Sequence, residues 1–150
     1  MRIITIASFV LTLALASPAF AQPQAAAGAV NVEDQDKLTP LMKACAKGDL
    51  KTVSDLLEKG ADVNYPHAQF KVTPLMFAAY FGHADVVKLL IAKGATVTAR
   101  DALAAQAVDW AEFDNHTEVA NILKANGGQT NFLLPISSMP FSVMDKAKGQ

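Results

Sequence analysis

Apolar residues return along this chain in two alternating textures. Val53, Leu56 and Leu57 stand at helical spacing among Lys51, Asp55 and Glu58, and Val86, Val87, Leu90 and Ile91 do the same after Asp85. An i, i+3, i+4 stripe with a charged reverse face predicts an amphipathic helix. Ahead of each stripe lies a shorter stretch with smaller residues: Leu41, Ala44 and Cys45, then Leu75, Ala78 and Ala79. These fall on one side of a short first helix and let a neighbouring helix approach closely. Thr39 and Thr73 are placed to cap that helix, and Pro40 and Pro74 suit its first position, where a missing N–H costs nothing. Gly48 and Gly82 end it with the positive φ of a left-handed cap. Gly60, Gly94 and Gly127 stop the second helix.

The two textures form a repeating unit. Thr39-Pro40-Leu41-Met42 recurs as Thr73-Pro74-Leu75-Met76, with Ala44 answered by Ala78, Gly48 by Gly82, and Gly60-Ala61 by Gly94-Ala95. A third copy matches Ala111 to Ala78, Asn115-His116 to Gly82-His83, and Gly127 to Gly94. A period of about 33 residues, opened by Thr-Pro-Leu, resembles the ankyrin repeat. The resemblance covers residues 36–128, in units of about 36–71, 72–104 and 105–128, and the segment 73–95 departs from the family pattern at few places. It implies an all-α solenoid of stacked helix-turn-helix units joined by β-turn fingers. One unit cannot bury its apolar faces alone, so three share a core. The third copy reads as a terminal cap: Gln106-Ala107 replaces Thr-Pro, Asp109 takes the Met slot, and Glu112, Asp114, Glu118, Asn121 and Lys124 make its outside polar.

Composition narrows the remaining possibilities. The chain has 150 residues, with 13 Lys and Arg against 14 Asp and Glu. That balance argues against nucleic-acid binding, which needs a basic surface to neutralise phosphates. Its single cysteine, Cys45, cannot form an internal disulfide or a cysteine-based metal site; it aligns with Ala79 and is expected to be buried. Arg2, the uncharged run from Ile3 to Ala16 and the small residues Ala19 and Ala21 predict a signal peptide over 1–21. The expected address is periplasmic or secreted, with no stable membrane insertion after cleavage. Residues 22–35 read as a flexible lead-in. The tail 129–150 carries Phe132, Leu133, Leu134, Ile136, Met139, Phe141, Val143 and Met144, broken by Pro135 and Pro140. Exposed, such a cluster would be a liability. It is expected to fold back over the last repeat, with docking to a partner as the alternative.

The resemblance also implies a function, because ankyrin-repeat proteins bind other proteins. In that family the contacts come from the turn before each Thr-Pro and from the end of each first helix. Carried over by position, they are Gln69, Phe70, Val72, Tyr80 and Phe81 in the middle copy and Leu103, Phe113 and Asp114, with Ala102 and Ala105, in the third. The first copy contributes Gln35, Asp36, Leu38, Ala46 and Lys47. The aromatic residues among these suit interface anchors, or they turn inward and fill gaps. The finger from Gly60 to Thr73 is one residue longer than that from Gly94 to Gln106. The turn's usual Asp and Gly are read as missing, with Lys71 and Ala104 where Gly is expected.

No catalytic residue, metal site or cofactor is expected. His83 and His116 occupy the family's Gly-His position and read as structural; His67 lies in a loop and has no assigned role. Ser54, Ser137, Ser138 and Ser142 lack a strand-turn-helix nucleophile context. The expectation is a monomeric scaffold for a protein partner, in the role of accessory or protective factor for a periplasmic protein. A secreted effector or toxin-neutralising protein is the alternative, and a metal-dependent enzyme using His67, His83 and His116 the remote one.

Overall fold

A computed structural model describes residues 30–130 and 141–149. The expected signal segment, most of the lead-in and the tail residues 131–140 lie outside the described residues. Helices α1 (Pro40–Lys47) and α2 (Leu50–Glu58) form the first pair, α3 (Pro74–Tyr80) and α4 (Ala84–Ala92) the second, α5 (Ala107–Phe113) and α6 (Thr117–Ala125) the third; α7 (Phe141–Lys148) is the last helix among the described residues. The pairs stack in two layers: α1, α3 and α5 pack side by side, and α2, α4 and α6 pack behind them. Leu41, Met42, Cys45, Leu75, Met76, Phe77, Val108 and Trp110 are buried in one continuous core.

The helix ends explain why the stack keeps register. Thr39 Oγ1 accepts the Met42 N–H at 3.3 Å, the expected cap. Thr73 closes its helix from the other side, donating its N–H to Met76 Sδ at 3.4 Å. In the third copy Asp109 takes that slot, and its Oδ2 accepts the Gln106 N–H at 2.7 Å. Gly48 and Gly82 have φ of 72° and 74°, and Asn115 takes the left-handed conformation at the equivalent place, with φ of 59°. Behind each glycine lies the next repeat's histidine. A Cβ on Gly48 would come within 2.6 Å of the His83 ring, and one on Gly82 within 2.5 Å of the His116 ring. The glycine therefore serves two repeats at once.

Each finger is a turn organised by one side chain. Asp34 Oδ1 accepts the N–H groups of Asp36 and Leu38, both at 2.9 Å. Asp101 Oδ1 accepts those of Leu103 and Ala105, at 2.8 and 2.9 Å. In the longer middle finger His67 Nδ1 accepts from Gln69 and Phe70, both at 3.3 Å. The turn aspartate is thus present at Asp34 and Asp101, correcting the reading that it is missing, and His67 replaces it only in the middle finger. The glycine is indeed replaced: Lys37, Lys71 and Ala104 hold φ of 63°, 58° and 64°.

The lead-in ends earlier than the sequence reading placed it. Asn31 Oδ1 accepts the Asp62 N–H at 3.1 Å, and Asp34 pairs with Lys43, so residues 31–35 belong to the first finger. Asn64 repeats the link one unit on, accepting from Thr96 N–H at 2.8 Å and donating to Gly94 O at 3.2 Å.

Candidate functional site

The fingers and the ends of α1, α3 and α5 form one continuous face, and α7 lies on it. The sequence reading sent the tail over the last repeat. Helix α7 does touch that repeat through Phe141, but it runs on to the first and packs against α1. Phe141 begins the run with its ring 5.0 Å from that of Phe113, 6.1 Å from Tyr80 and 6.4 Å from Trp110. Val143, Met144 and Ala147 turn inward and are buried. Lys146 Nζ donates to Asp36 Oδ1 at 2.8 Å, and Lys148 Nζ stands 5.0 Å from the Phe81 ring centre, within cation–π range.

The residues carried over as partner contacts separate into three groups. Tyr80, Phe81 and Phe113 are half-buried and form the aromatic floor under α7; Tyr80 also stands edge-on to Phe81 and Trp110, at 4.9 and 5.8 Å. Gln69, Phe70, Leu103 and Asp114 lie at the rim, with Gln69 and Asp114 exposed. Asp114 Oδ2 is 3.0 Å from His116 Nε2. Val72 is fully buried, as are Leu38, Ala46 and Ala105. With α7 seated, none of these four side chains reaches the surface. Leu38, Val72 and Ala105 immediately precede a helix cap, where the chain passes under the finger into the core.

Nothing in the residues around His67 signals how much it does. Its ring is buried and stacks on Phe70 at 5.4 Å. Because Nδ1 accepts two N–H groups, Nε2 carries the proton and donates it to Asp36 O at 3.1 Å. One side chain shapes the middle finger and fastens it to the first. Asp101 does comparable work in the third finger, where its Oδ2 accepts the Trp110 Nε1–H at 3.1 Å. Burial pushes its carboxyl above the usual range, partly offset by the N–H groups it accepts. Burial, with Asp145 and Asp114 nearby, likewise raises the Tyr80 phenol.

His83 and His116 sit where the sequence placed them, at the starts of α4 and α6. His83 Nε2 reaches back to Ala46 O at 3.1 Å, tying the second repeat to the first. Among the described residues no group of three or more His, Cys, Asp or Glu is placed to hold a metal ion. Cys45 is buried, and burial raises its thiol pKa strongly, which keeps the nucleophilic thiolate scarce. No helix among the described residues is long and apolar enough to cross a membrane.

A family profile described as "Ankyrin repeats (3 copies)" matches residues 17–101 and 66–133. No curated protein matches the chain. Ankyrin repeats generally mediate protein–protein interaction, and the family is typically a non-enzymatic binding scaffold. Three helix pairs in register, each entered through a side-chain-organised finger, agree with that profile, and the chain belongs to the ankyrin-repeat family.

Proposed function

We propose that the protein is an exported scaffold that binds a protein partner through the face formed by its fingers and first helices, the concave side of the repeat stack. Its role in this reading is that of an accessory or protective factor for a periplasmic protein. The observation that carries it is the aromatic floor. Tyr80, Phe81 and Phe113 stand at the ends of consecutive first helices, half-buried, with Phe70 and Leu103 at the rim. Clustered aromatic side chains of this kind dominate interface energetics, since large apolar area is buried at low cost in rotamer entropy. The signal-like pattern of residues 1–21 supports the exported address.

The test is capture from the organism's own cell envelope by the tagged chain, beside a variant carrying Tyr80→Ala, Phe81→Ala and Phe113→Ala. A protein retained by the native chain and lost by the folded variant is the expected result. Equal capture by both overturns the assignment of this face.

A further inference from the structure

The proposed binding face is already occupied, and the occupant describes what fits there. Helix α7 sets Phe141 against Tyr80, Trp110 and Phe113 and buries Val143, Met144 and Ala147. It then offers Lys146 to Asp36 and Lys148 to Phe81. Its attachment is limited. Eight residues are too few to hold a helix alone in water, so α7 is ordered by its seat. The Lys146–Asp36 pair is exposed on both sides, 54% and 41%, and exposed pairs contribute little. The fit also leaves space, because a cleft of about 250 Å³ remains between the fingers and α7, lined by Asp36, His67, Phe70, Ser142, Val143 and Lys146.

We propose that α7 is an internal stand-in for a partner's helix of the same chemistry, and that the two compete for one seat. That partner segment carries an aromatic residue at its N-terminal end, aliphatic or Met residues three to four positions apart, and lysine or arginine at its C-terminal end. A side chain larger than Ser142 at the second position would fill the cleft beside His67 and Phe70. The inference rests on the concave-face reading and adds to it the class of partner and a built-in competitor. Because α7 belongs to the same chain, its competition for the seat is intramolecular, so the closed seat weakens every outside ligand by a common factor.

The experiment uses the full chain and a fluorescent synthetic peptide spanning residues 140–149. Met144→Asp places a charge where α7 is buried and leaves the floor intact. Lys146→Glu with Lys148→Glu loosens α7 from the surface alone, and serves if the first variant does not fold. The peptide is expected to bind Met144→Asp at least tenfold more tightly than the native chain, and the double variant severalfold more tightly. A peptide carrying Met144→Asp is expected not to bind. Equal uptake by the native chain and both variants overturns the proposal. So does a native chain that sediments as a dimer exchanging α7, since the occupant is then a second copy. If envelope capture is lost on substituting the floor but unchanged by loosening α7, the competitor falls and the concave-face reading stands. If capture ignores the floor, that reading falls instead.

Discussion

Asp34 and Asp101 occupy the same register of the first and third fingers, yet their surroundings drive the two carboxyls in opposite directions. For Asp34, burial favours the neutral acid but is outweighed by Lys43 and the N–H groups of Leu38 and Asp36, so its pKa falls. For Asp101, burial beside Trp110 prevails and its pKa rises. Linkage then gives each a different pH window. The Asp34 contribution is present above its unfolded pKa and is lost as pH falls through the lowered folded value. The Asp101 contribution is full below its unfolded pKa and is lost as pH rises through the raised folded value. Denaturant titrations of Asp101→Asn across pH 3 to 7 are expected to remove the second slope and keep the first. The substitution also turns an amide donor toward Trp110 Nε1, or leaves that donor unpaired, at a cost of about 1–3 kcal/mol. Emission from Trp110, the chain's single tryptophan, follows the change directly.

Two glycines separate backbone strain from contact. Gly82 and Gly94 both have positive φ, 74° and 88°, but a Cβ at Gly94 meets nothing within 4 Å, whereas one at Gly82 strikes His116. Gly94→Ala is expected to cost the left-handed penalty alone, about 1–2 kcal/mol. Gly82→Ala should cost about 1–3 kcal/mol more, the range for overpacking. Urea unfolding of the two variants compares them, and equal losses would show that His116 moves aside freely.

The fingers offer the reverse substitution. Ala104 holds φ of 64° without a branched or polar side chain to favour it. Ala104→Gly relieves the left-handed strain and gives back part of it as unfolded-chain entropy. A gain of about 0.5–1 kcal/mol is expected, read as a higher urea midpoint. Lys71→Gly, at φ of 58°, is expected to move the same way.

His67 has two separable jobs. His67→Ala removes the turn acceptor, the link to Asp36 O and the buried ring itself, with an expected loss of about 2–4 kcal/mol. His67→Asn supplies an acceptor for the turn, as Asp34 and Asp101 do, but does not reach Asp36, so about half of that loss is expected. Hydrogen exchange at Gln69 and Phe70 distinguishes them, with protection lost in the first variant and largely kept in the second.

The helix pairs were readable because their determinants are local. Pro40 and Pro74, the cap residues and the i, i+3, i+4 stripes at Val53 and Val86 act within a turn or two of chain. The fingers were less legible. Asp101 precedes Ala104 by the same step that separates Asp34 from Lys37, a signal available in the sequence, but His67 in the longer finger hid the register. Nothing local marks a histidine that serves as a turn acceptor on one nitrogen and a strap on the other. Among the partner positions, the family offset placed Tyr80, Phe81 and Phe113 on the face but also selected Val72, whose burial depends on how the finger folds over the core. The seat of α7 was the hardest to read. Its apolar residues announce that they cover something, while the surface they cover is decided by Phe113, Phe81 and Asp36, far away in the chain.

A stack of repeats ordinarily behaves like a row in which each unit leans only on its neighbours, so either end can fray without consulting the other. Helix α7 changes the connectivity of that row. Its Phe141 meets Phe113 in the third repeat and its Lys146 meets Asp36 in the first, so a contact now runs from the last unit back to the first and closes the row into a ring. Opening either terminal repeat must release α7, and releasing α7 withdraws support from both termini together. Unfolding of the two terminal repeats is therefore expected to be coupled for as long as α7 stays seated, and whatever lifts α7 restores to the two ends their independence.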